Sequence, residues 1–163
     1  MKNKLKFLTL ICFTIFICTG IFAQTAKVPP FRMVQADGKV FRAENLPFGL
    51  PIIIIYFSPD CDDCQLFISD LLARINDFRK VSIAMITYLP VGRVSDFVVK
   101  NKLTSFSNIY VGTEGNYMIV KNYYNIEQFP FVTLYNKNGD LVKKYNSNEV
   151  NLNDLSERLK LLL

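Results

Sequence analysis

Residues 52–57 form an unbroken run of β-branched and aromatic side chains. Without polar alternation, such a run fits a central strand buried on both faces, and Pro59 stops it. From Cys64 onward the apolar positions fall at Cys64, Phe67, Ile68, Leu71, Leu72, Ile75 and Phe78, the i, i+3, i+4, i+7 spacing of a helix with one buried face. The spacing predicts a helix that starts near Cys61 and takes Asp60 as its N-cap. Residues 81–88 read as a second apolar strand ended by Pro90. Val94, Phe97, Val98 and Leu103 then mark a short amphipathic helix, followed by a strand at 109–111 and a helix across 117–124. Strands alternating with helices of this length predict βαβ units and a mostly parallel central sheet.

Toward the C-terminus the pattern changes. Residues 131–135 and 141–145 flank Asn138-Gly139, a strong hairpin signal. Leu152, Leu155, Leu159 and Leu162, after Asn151 and Asp154, predict a closing helix. At the other end Pro29-Pro30 sits in an extended lead-in over 28–32, Asp37-Gly38 marks a turn, and 39–42 reads as a short strand. No Gly/Ser-rich or Pro-rich linker and no internal repeat interrupts this stretch, so one domain is expected.

The first 23 residues follow a different logic. Lys2, Lys4 and Lys6 make a basic start, residues 7–22 are almost wholly apolar, and Ile21-Phe22-Ala23 offers a cleavage site before Gln24. This is the pattern of a secretory signal peptide over 1–23, leaving 24–163 as the mature domain. Bulky Ile17 before Cys18 argues against lipoprotein processing. The expected location is periplasmic or otherwise extracytoplasmic. An uncleaved segment would tether the chain, since residues 7–23 reach the lower edge of bilayer-spanning length.

Losing the three lysines lowers the net charge from +5 to +2. No basic run with interleaved aromatics is present, so no nucleic-acid partner is expected, and the mature part has no apolar span long enough to insert in a membrane. A monomer is expected. Histidine is absent from the whole chain, which removes Ser-His and Cys-His catalysis and any His-ligated metal.

Cleavage also removes Cys12 and Cys18, so the mature chain keeps Cys61 and Cys64 alone, in a compartment where disulfides persist. A bridge closing so short a loop adds little stability, so the pair asks for a chemical explanation. At the start of a helix, unpaired backbone N–H groups and the macrodipole favour a thiolate at Cys61. Cys64 lies one turn on, on the apolar stripe. The i, i+3 spacing brings both sulfurs to one side, with Cys61 the exposed nucleophile and Cys64 the buried resolving thiol.

This strand-CxxC-helix arrangement resembles the thioredoxin superfamily, and the exported start with the Asp37-Gly38-Lys39-Val40-Phe41 lead-in resembles its TlpA/ResA-like branch. The resemblance extends through Phe57-Ser58-Pro59-Asp60-Cys61-Asp62-Asp63-Cys64 to Tyr124-Asn125-Ile126-Glu127-Gln128-Phe129-Pro130-Phe131, and on to Asn138-Gly139-Asp140. It implies an α/β thioredoxin-like fold, a central mixed β-sheet flanked by helices, with an N-terminal extension strand. It also implies a cis-proline at Pro130 facing the disulfide, with Phe129 and Pro130 holding the substrate.

The implied activity is thiol:disulfide exchange with protein or small thiols, through a redox-active Cys61–Cys64 disulfide, with no other cofactor and no metal. An upstream electron-donor protein is the further partner implied. The chain departs from the family in having no Trp before the first cysteine, Asp60 in that place, Asp62 and Asp63 between the cysteines, Phe131 after the proline, and no acid in 52–56.

The aspartates bear on direction. A carboxylate roughly 6 Å from a thiolate, at an effective dielectric of about 40, opposes it by on the order of 1.4 kcal/mol. Asp60, Asp62 and Asp63 therefore modulate Cys61 against the helix-start effect, which points to a reductant or weak exchanger rather than a disulfide donor. Other readings of the pair stay open: an inert disulfide in a non-catalytic binding module of the same fold, half of a metal site, or peroxidase chemistry with Ser58 three residues before Cys61. Most of Tyr123, Tyr124, Phe129 and Phe131 are read as core, with an apolar rim near the cysteines as the alternative.

Overall fold

The computed structural model describes residues 26–163. The expected signal peptide at 1–23, with Cys12 and Cys18, lies outside the described residues. Ile52–Tyr56 (β3) is buried at every position. Its neighbours are the equally buried Ser82–Thr87 (β4), parallel to it, and Phe131–Tyr135 (β6), antiparallel. Ile109–Thr113 (β5) continues parallel beyond β4. Arg32–Gln35 (β1), Val40–Arg42 (β2) and Leu141–Tyr145 (β7) complete a seven-stranded sheet in the order β2-β1-β5-β4-β3-β6-β7.

The sheet is mixed, as the resemblance implies, and not mostly parallel as the strand–helix alternation alone predicts. Only β5-β4-β3 run parallel, joined by helical crossovers, and antiparallel strands flank them on both sides. The reason is topological: βαβ links force parallel pairing, whereas the hairpin β6-β7 and the N-terminal β1-β2 unit arrive through turns or long connections. The extension strand β1, whose Arg-Met-Val-Gln sequence carries little strand signal, docks antiparallel on β5. Gly112 permits that approach, because a Cβ there would meet Met33 Cγ at 2.8 Å.

Alternation along β3 divides the interior in two. Ile53 and Ile55 face one core, filled by Ile68 and Leu71 of α1 (Asp62–Ala73), Val94, Phe97 and Val98 of α2 (Val91–Lys100), and Leu155 and Leu159 of α4 (Leu152–Leu162). Ile52, Ile54 and Tyr56 face the other, with Phe31, Met33, Phe41, Phe131, Tyr135 and Val120 of α3 (Ile119–Tyr124). Burying a side chain such as Ile53 contributes roughly 1.5–3 kcal/mol, which is why the apolar run of β3 is the centre of the sheet.

Several boundaries differ from expectation. Helix α1 is capped by Cys61, not Asp60, because the chain stays extended through Cys61 (φ −93°, ψ 120°) and that sulfur is the acceptor over the first turn. The helix stops at Ala73, and a 3₁₀ turn over Ile75–Phe78 carries the last apolar positions. The expected 117–124 helix divides into a 3₁₀ turn at Gly115–Tyr117 and α3, since Met118 sits at φ +45°. The hairpin turn also spans residues 136–140 rather than Asn138-Gly139 alone: Asn136 Oδ1 accepts from the Asn138 and Asp140 N–H groups at 2.9 and 3.0 Å. In α4, Asn151 caps as expected, accepting from Asn153 and Asp154 N–H. No helix among the described residues is long and apolar enough to cross a membrane.

Candidate active site

Strand β3 hands the chain to α1 through a buried Phe57-Ser58-Pro59 turn. The Phe57 N–H donates to the Ile86 carbonyl at 3.0 Å, and the Cys61 N–H to the Ser58 carbonyl at 3.1 Å. The Asp60 N–H reaches the Ser58 hydroxyl at 3.3 Å, and the Gln65 amide donates to the Pro59 carbonyl at 3.0 Å. So held, Cys61 places its Sγ over the start of α1, where it accepts from the Cys64 N–H at 3.3 Å. Cys61 is partly exposed and Cys64 fully buried, and both are free thiols. Burial pushes the Cys64 thiol far above the ordinary thiol range. Its hydrogen bond to Cys61 adds to that shift, the Ser58 backbone opposes it, and the charges of Cys61 and Asp63 raise it further.

The three aspartates are treated differently by the fold. Asp62 and Asp63 are exposed in the first turn of α1, where the macrodipole favours them. Asp60 instead pairs with Arg93 in the first turn of α2. Arg93 was not legible in the sequence, being 33 positions away and placed only by the β4–α2 crossover. Lys100, further along α2, donates to Gln65 at 3.0 Å, so two contacts from α2 grip the turn before and the start of α1.

Across from Cys61, the Phe129–Pro130 peptide bond is cis. The Phe129 carbonyl lies 3.8 Å from Cys61 Sγ and also accepts from the Ser147 hydroxyl at 2.7 Å. The Phe129 ring packs against Tyr56 and Tyr88, with centroids 5.9 and 5.8 Å away. Its backbone therefore faces the sulfur while its side chain is engaged by the protein. Pro130 is buried, as is Phe131; Tyr124 is half-buried and Tyr123 half-exposed. Of the four aromatics, Phe131 is therefore core, while Phe129, Tyr123 and Tyr124 keep part of their surface exposed.

A buried acid exists, although no residue of 52–56 supplies it. Glu114, 3% exposed after β5, accepts from the Tyr56 hydroxyl at 2.7 Å and from the Val120 N–H at 2.9 Å. It joins the end of β3 to the start of α3, and no local pattern marks it. Burial and this hydrogen bond together push the Tyr56 phenol far above its usual range. Among the described residues no group of three or more His, Cys, Asp or Glu is arranged to hold a metal ion.

No family model matches the sequence, and no curated protein matches it. Solved structures do. One is a secreted Mycobacterium tuberculosis disulfide oxidoreductase homologous to E. coli DsbE, 21% identical, covering 82% of this chain and 96% of that one, with a TM-score of 0.66. A peroxiredoxin-like protein from Aquifex aeolicus is 14% identical, covers 85% and 86%, and has a TM-score of 0.70. BsSco, of the Sco family of cytochrome c oxidase assembly proteins, is 17% identical, covers 84% and 90%, and has a TM-score of 0.66. At these identities the likeness is one of fold.

Proposed function

We propose that this chain, which has the thioredoxin-like fold, is an exported thiol:disulfide oxidoreductase working through a Cys61/Cys64 dithiol–disulfide couple. The observation that carries the reading is the pairing of a partly exposed sulfur at a helix start with a buried thiol one turn on. In the reducing direction the Cys61 thiolate attacks one sulfur of a substrate disulfide, and the other leaves as a thiolate. Cys64 then gives up its proton and attacks Cys61 Sγ in the mixed disulfide, releasing the second substrate thiol. The substrate gains two electrons and the protein becomes the disulfide. An upstream electron-donor protein returns the pair.

Burial chiefly holds Cys64 protonated, and its hydrogen bond to Cys61 and the Cys61 charge add to the effect. Both disappear once Cys61 is tied up in a mixed disulfide, so the resolving thiol becomes easier to deprotonate at the step that needs it. Before then it stays inert. The Phe129 backbone and Pro130, opposite the sulfur, are the proposed substrate-holding elements. Asp62 and Asp63 oppose the thiolate, while Arg93 offsets Asp60. The balance supports a reductant or weak exchanger rather than a disulfide donor. The basic-then-apolar start of the sequence and the secreted M. tuberculosis neighbour support an extracytoplasmic location.

Insulin reduction in the presence of dithiothreitol tests the reading. The native protein is expected to accelerate precipitation and Cys61→Ser to leave the uncatalysed rate; equal rates end the enzyme hypothesis. Cys64→Ser is expected to stop at the mixed disulfide and retain a partner covalently.

A further inference from the structure

Beside the cysteines a groove of about 620 Å³ runs along α1, from Pro130 past Asp63, Leu66, Phe67 and Asp70 to Leu152. Asp63, the Leu66/Phe67 pair and Asp70 follow i, i+3, i+4, i+7 spacing and so share one face: carboxylate, apolar patch, carboxylate. Leu66 is 65% exposed. The helix start explains Asp63. It does not explain Asp70, which lies in the C-terminal half of α1, where the dipole disfavours a negative charge.

Asp70 makes no side-chain hydrogen bond or ion pair among the described residues. Arg74, one turn on, is engaged instead by Asp77 at 3.2 Å and Asn153 at 2.7 Å. No Lys or Arg lines the groove. Nor does any line the adjoining 400 Å³ groove across the Asn148 loop, which holds Glu127 and Glu149. This face is acidic in a chain whose expected mature form is net positive.

We infer that the groove docks a basic, partly apolar polypeptide segment that flanks the substrate's reacting cysteine; the inference rests on the exchange chemistry proposed above. Seven residues of helix separate Asp63 from Asp70 by about 10 Å, at 1.5 Å per residue. An extended chain covers that in roughly three residues. Two Lys or Arg about three positions apart can therefore meet both carboxylates while the side chains between them cover Leu66 and Phe67. Pro130 forms the end of the groove nearest Cys61, so the cysteine lies beyond one end of the basic pair.

The test uses the reduced full chain and synthetic peptides whose cysteine is activated with 2-thiopyridine, alike except for a Lys, Gln or Glu pair three apart, on either side of the cysteine. Release of thiopyridone gives second-order rates. At low salt the Lys peptide of one set is expected to react about fivefold faster than its Gln partner and the Glu peptide slowest. Half-molar NaCl is expected to bring the ratio toward one. In Asp63→Asn/Asp70→Asn the Lys-to-Gln ratio falls toward one, and in Asp70→Lys it falls below the native ratio. Unfolding would also bring the ratio toward one, so each variant is first shown by urea denaturation to be folded under the assay conditions. Equal native rates for Lys and Gln peptides, or a preference that survives the double substitution, overturn the inference while leaving the exchange reading intact. Failure to react with 2-hydroxyethyl disulfide, which makes no use of the groove, overturns the exchange reading and this inference with it.

Discussion

The sulfur of Cys61 accepts the backbone N–H of Cys64 at 3.3 Å, so the proposed nucleophile is also the N-cap of the helix that presents it. One atom thus stabilises α1 and, as a thiolate, is stabilised by it, since an anion accepts from an N–H more strongly than a thiol does.

The two roles separate by substitution. Cys61→Ser keeps an acceptor at the cap and should leave stability within a few tenths of a kcal/mol of native, whereas Cys61→Ala should lower it by about 0.5–2 kcal/mol. Both should abolish exchange. Urea denaturation of the reduced proteins beside the insulin assay checks this; equal stability for Ser and Ala would remove Cys61 from the cap.

Burial holds the Cys64 thiol protonated, and the sign of its effect on stability follows. An unfolded thiol loses its proton near pH 8.5–9 while the folded one retains it, so the native state binds more protons and stability falls as pH rises through that range. The slope should approach about 1.4 kcal/mol per pH unit above it. Denaturation of reduced protein at pH 7.5, 9 and 10 should show the loss, and Cys64→Ala should flatten it. The buried Tyr56, Tyr135 and Tyr145 phenols, also shifted upward, contribute in the same direction only near pH 10 and above.

Arg93 offsets Asp60 beside the thiol. Removing the guanidinium by Arg93→Ala should slow Cys61 alkylation by iodoacetamide at pH 7 about two- to fivefold, and Asp60→Asn should not slow it. Both side chains are half-exposed, so the stability change should stay within about 1 kcal/mol. Repeating the alkylation in 0.5 M NaCl should shrink the difference; an effect indifferent to salt would point to geometry instead of charge.

Glu114 ties three elements together out of solvent. Glu114→Ala leaves the Tyr56 hydroxyl and the Val120 N–H without their acceptor, at about 1–3 kcal/mol for each unsatisfied group. Glu114→Gln keeps one oxygen and should cost clearly less. Chemical denaturation of the two variants distinguishes them, and equal losses would mean that packing, not hydrogen bonding, is the role of Glu114.

What was legible in the sequence was what is local. The unbroken apolar run of β3, the stripe from Cys64 to Leu71, the paired strands β6 and β7 and the Asn151-capped α4 all follow from periods and caps that neighbouring residues impose. So does the placement of Cys61 and Cys64 at a helix start. Even there, Asp60 was the better cap by residue preference, and the extended backbone at Cys61 gave that place to sulfur.

The tertiary structure decided what depends on strand order. Arg93 meets Asp60 because α2 follows β4 at the same end of the sheet; Glu114 meets Tyr56 because β5 lies one strand beyond β4. Ser147 reaches the Phe129 carbonyl because the β6–β7 hairpin returns the chain beside the site. A contact between residues 18 to 58 positions apart leaves no periodic trace in either segment, since each is free to satisfy its own local pattern. Only the packing of the sheet brings the two ends together.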